Sequence, residues 1–402
     1  MMEARRRIVI AGGGIAGLTA ALAFAQRGFA VDIFEQAERI EAVGAGLQLS
    51  PNATRILVRL GVLERLLPSA VRPEAVVLRD AAALKELARV PLGSSAEQRW
   101  QAPYLTAHRA DLQDALVAQA GATAGIRLVT GARITSVETG NDGVTARIER
   151  DGKTDTAQAD LAVGADGVWS AMRRRDGLAG NSRFTGELAW RTTVKVESAA
   201  GRLFATLSTD GCVNAFLNPH FHLIAYPVSA GAAINLVAFT KGERIAEGWS
   251  GRGDPSILAK AMNGAAPGLR QLIDAAGPWL AWPLHAVDQR AAWTDPAGIA
   301  LIGDAAHAMT PFAAQGAGMA IEDAATLAAS VAETPGAMGE ALARWELQRK
   351  PRVAKVTRRG ALNHMAWNAA GPVALARNMV LKLRSGERLA ADLDWLYGWQ
   401  AP

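Results

Sequence analysis

Ile8-Val9-Ile10-Ala11-Gly12-Gly13-Gly14-Ile15-Ala16-Gly17 decides the reading of this chain, because the next apolar run, Ala30 to Phe34, ends on an acid, Glu35. The pattern is a strand, a glycine-rich turn, a helix closed near Gly28, and a second strand tipped by a carboxylate. This order suits a dinucleotide: Gly12 permits a tight turn, Gly14 lets backbone approach a pyrophosphate, and Gly17 lets helix and strand pack closely. The N–H groups and dipole of the helix start favour phosphate charge. Glu35 stands where it can accept hydrogen bonds from ribose hydroxyls.

Working outward, Ser50-Pro51 reads as an N-cap followed by proline at the first helical position, with Gly61 ending that helix. A further helix is expected from Arg109 to about Ala120. Between residues 126 and 165 the text changes to short extended runs: Ile126–Thr130, Ile134–Thr139, Val144–Glu149 and Asp160–Val163. Turn signals at Asn141-Asp142-Gly143 and Asp151-Gly152 separate them, which predicts a small β-meander. Strands are again expected at Leu188–Val196, Val213–Leu217, His222–Pro227 and Ala233–Phe239, with helix near Pro255–Gly277. Ile299–Ile302 reads as a strand leading to a long alanine-rich helix after Gln315, and 339–384 as mostly helical.

The expected fold class is α/β: a Rossmann-like nucleotide-binding domain interleaved with a mainly β domain, followed by C-terminal helices. The nucleotide-binding domain is expected at 1–75, 100–182 and 285–345. The β domain takes 76–99 and 183–284, and the helical segment 346–402.

Composition narrows the function classes. The 402 residues are half apolar, enough for a large core, and the formal charge of +5 is mild for this length, so a nucleic-acid partner is not expected. The one cysteine, Cys212, can build no internal disulfide or cysteine-rich metal site, and no metal constellation stands out. A reducing, cytoplasmic setting is expected. Arg5-Arg6-Arg7 before an uncharged run to Ala25 superficially resembles an export signal or membrane span, but the glycines break that run and the strand–turn–helix explains it. The basic stretch Arg344–Arg359 has no clear apolar face and reads as a solvated surface.

Two more segments carry chemistry. Asp160-Leu-Ala-Val-Gly164-Ala-Asp166-Gly167-Val-Trp-Ser170-Ala-Met-Arg173 is an apolar strand running into Asp-Gly. Ile299-Ala-Leu-Ile-Gly303-Asp304-Ala-Ala-His307-Ala-Met-Thr-Pro311-Phe-Ala-Ala-Gln315-Gly316-Ala-Gly318-Met319 is a strand ending in Gly-Asp, a proline loop and a glycine-rich helix start. Asp304 at a strand tip can hydrogen-bond a polyol. The N–H groups at Gly316–Gly318 can stabilise negative charge on a bound ring.

Together these segments resemble the group A FAD-dependent aromatic monooxygenases, with the p-hydroxybenzoate hydroxylase fold, over nearly the whole chain. His108-Arg109-Ala110-Asp111-Leu112 matches the family setting in which an arginine contacts FAD. Gly44-Ala-Gly46-Leu-Gln48-Leu-Ser-Pro51-Asn52 resembles the flavin-side segment of salicylate hydroxylases and 6-hydroxynicotinate 3-monooxygenases, although the latter carry histidine at the place of Gln48. The terminal Asp394-Trp-Leu-Tyr397-Gly398 resembles the ending of several members. The resemblance implies non-covalent FAD, held by Gly12, Gly14, Ile15, Ala16, Gly17 and Glu35 in the first motif. Gln48, Arg109, Asp166 and Asp304 follow, then Pro311, Gly316, Ala317, Gly318 and Met319 at the third motif.

It also implies the reaction: NADH or NADPH, visiting transiently, reduces FAD, and O2 supplies one oxygen atom through a flavin C4a-hydroperoxide to a small aromatic or heteroaromatic acid or phenol. His222 and Tyr226, four apart on one strand, share a face and are the candidate catalytic pair for a substrate phenol proton, with a core histidine bonded to backbone as the equal alternative for His222. Arg191, inside Trp190-Arg191-Thr192-Thr193, reads first as a solvated strand residue and otherwise as a candidate donor to a substrate carboxylate, and Gln48 and Pro311 are candidate substrate neighbours. His307 is expected to be structural or next to the flavin. Two alternatives are a hydroxylase of a larger polyketide- or quinone-like substrate and a flavin-binding protein without turnover. The protein is expected to be a monomer or homodimer.

Overall fold

The computed structural model describes residues 6–40, 46–140, 143–174, 178, 180–243, 251–252 and 254–401. Gly44, Ala45 and the turn residues Asn141 and Asp142 therefore lie outside the described residues.

A six-stranded sheet carries the glycine fingerprint. Its order is Thr294–Asp295, Ile299–Leu301, Leu161–Gly164, Arg7–Ala11, Ala30–Glu35 and Ile126–Thr130. All neighbours pair in parallel except the Thr294–Asp295 edge. Its central strands are buried on both faces, as their unbroken apolar runs require. Helix Ile15–Ala25 packs against helix Gly316–Glu333, and both are rich in alanine, so their backbones approach closely.

The second sheet has eight strands: Gly251–Arg252, Leu280–Ala286, Arg183–Lys195, Ala233–Lys241, Phe221–Val228, Val213–Leu217, Ala75–Asp80 and Glu86–Pro91. One face packs on helices Ala199–Leu207, Pro255–Ala261 and Pro267–Ala275 through Leu188, Trp190, Leu223 and Leu269. The other face turns towards the nucleotide-binding sheet and lines a cavity. The C-terminal helix Met338–Trp367 closes one side of it with Arg359, Asn363 and Trp367.

The meander needs correction. Its strands are Ala132–Gly140, Gly143–Arg150 and Lys153–Ala159. Ile126–Thr130 and Leu161–Gly164 belong instead to the parallel sheet, the first as its half-buried edge and the second buried on both faces. A short apolar run reads alike in either context. Lys153–Ala159 escaped notice because Lys-Thr-Asp-Thr-Ala-Gln-Ala carries almost no apolar period, and backbone pairing alone holds this edge strand.

Candidate active site

The turn after Arg7–Ala11 is built as its glycines require. Gly12 takes φ +105°, and a Cβ there would meet the Ala165 carbonyl oxygen at 2.5 Å. A Cβ on Gly17 would lie 1.9 Å from the Gly12 oxygen, whereas one on Gly14 would meet nothing within 4 Å. Gly12 and Gly17 thus serve packing beneath the turn, and Gly14 leaves open approach from outside. Glu35 accepts from the N–H of Gly13 at 2.7 Å and of Ala37 at 2.9 Å, so the strand-tip acid also fixes the turn.

From this turn a cleft runs into a cavity of about 480 Å³ between the two sheets. Gly14, Ile15, Ala16, Gln48, Arg109, Asp304, Pro311, Gly316 and Ala317 line it, as do Arg191 and Tyr226. Three separated motifs therefore meet along one wall. The remaining expected residues stand elsewhere. Gly318 and Met319 turn towards the interior of their helix, and Met319 is fully buried. Asp166 takes the N–H groups of Ala171 and Met172 on one carboxylate oxygen, at 2.7 and 3.2 Å. Arg173 from the same segment donates to the carbonyls of Val168, Asp304 and Ala305. The Asp-Gly segment is thereby tied to the Gly-Asp loop.

On the opposite wall, strand alternation sorts the side chains. Along Phe221–Val228, Leu223 and Ala225 enter the core behind the sheet while Ile224 and Tyr226 face the cavity. Along Arg183–Lys195, Leu188 and Trp190 go behind and Arg191 comes forward. Arg191 lies over the Trp282 ring, 5.2 Å from its centroid, and its Nε has no hydrogen-bond partner. Burial lowers its pKa, and Asp304, the one acid among the lining residues, belongs to the opposite wall.

Gly46 brings the nearer strand close. Its N–H donates to Asn235 Oδ1 at 2.6 Å, and a Cβ there would meet Tyr226 Cε2 at 2.7 Å. Gln48, two residues on, reaches Tyr104, whose hydroxyl donates to Gln48 Oε1 at 2.7 Å, and it also hydrogen-bonds Tyr226. Tyr104 in turn hydrogen-bonds Tyr397, so Gln48 joins Tyr226 to Tyr104 and Tyr104 extends the chain to Tyr397. Burial raises the pKa of Tyr104 and Tyr226, and pushes Tyr397 up to about 12.

His222 is placed differently from its strand-mate. It is buried, stacked on Phe239 at 4.5 Å between ring centroids, with Phe312 and Trp367 edge-on, and it is not among the cavity's lining residues. Burial, reinforced by His364, lowers its pKa to about 3.

Beneath the flavin-side wall lies a buried ionic cluster. Asp323 accepts from Gly303 N–H at 2.9 Å, from Arg349 Nε at 2.8 Å, and meets His307 Nε2 at 2.5 Å. Burial pushes its carboxyl up, but His307 and Arg349 outweigh that and hold it at about 2. Glu322 binds Arg349, Arg352 and Asn52. Ser50 occupies an N-cap position without capping; its hydroxyl donates to Asn52 and accepts from Gln315. The expectation of a solvated basic face on Arg344–Arg359 is therefore corrected at Arg349 and Arg352. Tyr104, Trp169, Trp282, His285 and Trp367 also line the cavity and were not anticipated.

The cleft fits FAD. Open backbone at Gly14 and Gly316, the Arg109 and Asp304 side chains, and an unpartnered buried oxygen of Asp166 follow one line from turn to cavity.

Comparison with known proteins agrees. A family model described as "FAD binding domain" matches residues 5–360. The chain is 32% identical over 393 residues to 3-hydroxybenzoate 6-hydroxylase of Polaromonas naphthalenivorans (strain CJ2), covering 98% of this chain and 96% of that protein. It is 32% identical over 328 residues to 6-hydroxynicotinate 3-monooxygenase of Bordetella bronchiseptica, covering 81% and 82%. A solved salicylate hydroxylase substrate complex superposes with a TM-score of 0.80 at 25% identity, covering 98% of this chain and 96% of that chain. With the family model spanning most of its length and relatives matching nearly end to end, the chain belongs to the FAD-dependent aromatic-ring monooxygenases.

Proposed function

We propose that this monooxygenase hydroxylates a small aromatic or heteroaromatic ring bearing a carboxylate, with Arg191 as the carboxylate's partner and Tyr226 beside the ring hydroxyl. The observation that carries the reading is Arg191: a half-buried arginine lining an apolar-walled cavity, with a buried Nε that has no hydrogen-bond partner and no acid on its own wall. Such a group is costly to bury unless an anion joins it, and a planar carboxylate matches its fork. The names of the relatives, which act on hydroxybenzoate or hydroxynicotinate, support the same class.

FAD would lie along the Gly14–Ala16 turn, Arg109, Asp304 and the Gly316–Ala317 helix start, with Glu35 at the adenosine end. When bound, it supplies hydride acceptance from NADH or NADPH and activation of O2. The chain's residues do the rest. Apolar walls exclude water from the ring. Arg191 orients the substrate. Tyr226, held protonated by burial, donates to the substrate oxygen, and Gln48 and Tyr104 fix its orientation. His222 has no part in this proposal. The nucleotide-binding sheet and the eight-stranded sheet act as separate cofactor and substrate domains, and dependence on NAD(P)H with a single cysteine supports a cytoplasmic setting.

The test is NADH and NADPH oxidation by the purified yellow protein across hydroxylated benzoates and pyridine carboxylates, with product identification by mass spectrometry. Each acid is paired with its amide or ester. Stimulation by the acid and not by its uncharged partner is expected. Equal stimulation by both would overturn the role of Arg191.

A further inference from the structure

Seven of the eleven large apolar side chains that stand exposed among the described residues fall between Leu362 and Leu383. Five of them, Val373, Leu375, Met379, Val380 and Leu383, lie on the helix Gly371–Leu383 and are 56–77% exposed. That helix has no buried residue. Its polarity is inverted. Arg377, Asn378 and Arg384, just beyond its end, are turned inward, where Arg377 donates to the carbonyls of Ala366 and Trp367 and Arg384 pairs with Asp392. Val373, Ala376, Val380 and Leu383 recur at 3–4–3 spacing along the outer face, the spacing of a helix–helix seam.

We propose that this face is covered by the same face of a second copy of the chain, giving a two-fold homodimer. Three observations favour that occupant. The five side chains present on the order of 650 Å², near the ~800 Å² each partner gives to a standard interface and above the largest patch of a typical monomer. The face is self-complementary in charge: Lys382 is the single charge among the helix's exposed positions, so a symmetric pairing sets no row of like charges opposite itself. An anionic lipid surface would instead call for cations flanking the apolar face. No Asp or Glu occurs between Glu346 and Glu387, but Lys382 is the one exposed cation on this helix, Lys355 and Arg358 are exposed on the preceding helix, and the other cations there have partners within the fold. Arg349 and Arg352 hold Glu322, Lys350 holds Glu346, and Arg359 faces the cavity.

The pairing would reach the active site. Leu381, on the inner side of this helix, and Trp367, at the end of the preceding one, pack on the apolar cluster that contains Tyr226, Val237 and Phe239. Covering the outer face would steady the helix that backs this wall of the cavity.

The experiment is sedimentation equilibrium of the flavin-loaded protein, comparing wild type, V380D, M379E and the control L347E. Leu347 is 76% exposed and lies away from the face. Wild type and L347E are expected at twice the chain mass. V380D and M379E are expected to dissociate, with affinity weakened roughly 100-fold or more and the bound-flavin spectrum unchanged. A monomeric wild type at tens of micromolar would overturn the proposal. So would a dimer that both variants leave intact, or a monomer that floats with vesicles of anionic phospholipid.

Discussion

Arg349 Nε lies 2.8 Å from the Asp323 carboxylate, and both side chains are fully buried 26 residues apart in the chain. Asp323 also takes the Gly303 N–H, so the long C-terminal helix grips the turn that presents Asp304. Through Glu322 the same cluster reaches Arg352, which donates to the carbonyls of Trp395 and Leu396 in the tail that lines the cavity. One set of charges therefore ties flavin-side loop, helix start and tail together.

Removing one partner of such a cluster leaves uncompensated buried charge. R349M is expected to destabilise the fold by about 3–5 kcal/mol. Thermal unfolding with and without added FAD measures the loss, and FAD affinity is expected to fall with it. R349K keeps the charge but not the fork that spans Glu322 and Asp323, and should fall between wild type and R349M. An R349M protein as stable as wild type would remove the cluster from the account.

Arg191 offers a second test. R191Q keeps bulk and polarity while removing charge. Losing a charge-assisted hydrogen bond of about 1.5–3 kcal/mol predicts a KM for the carboxylated substrate raised roughly 10–150-fold, with FAD content unchanged. Steady-state oxidation kinetics and flavin absorbance separate the two effects. An unaltered KM would assign Arg191 to structure alone.

Tyr226 and His222 are distinguishable by substitution although they share a strand face. Y226F is expected to lower product formed per NAD(P)H consumed, and the hydroxylation rate by roughly 10²-fold, through loss of proton transfer. H222F is expected to leave both within a few-fold, because Phe239 and Phe312 surround the ring. Stopped-flow oxidation with product quantification decides; equal losses in both variants would return His222 to the reaction.

The nucleotide-binding turn was legible because its demands are local. Gly12 and Gly17 answer clashes within one strand–turn–helix, so neighbouring letters hold the information. The Gly-Asp loop was legible for the same reason. Arg349 was not: within Arg344–Arg359 it looks like any other solvated cation, and its acids lie a helix away. Tyr104 and Tyr397 were equally hidden, since their contact with each other depends on how tail and sheets pack. His222 shows the converse case. Period-two alternation correctly put it on Tyr226's face, but not how deep it sits behind Phe239. Lys153–Ala159 lacked any periodic signal because an exposed edge strand needs none.

The burial of His222 carries a pH signature of its own. Its pKa falls from 6.5 to about 3 in the folded protein. Between those values the unfolded chain binds a proton that the native ring does not, so stability falls as pH drops through that window. H222F removes this contribution, on the order of a few kcal/mol in total. The depressed carboxyl of Asp323 also costs stability on acidification, but between 3.8 and about 2, below most of the His222 window. Unfolding temperatures of wild type and H222F at pH 7, 5.5 and 4 should therefore diverge steadily, the variant losing less at each step. Parallel curves across that range would show that the ring accepts its proton without leaving the aromatic box.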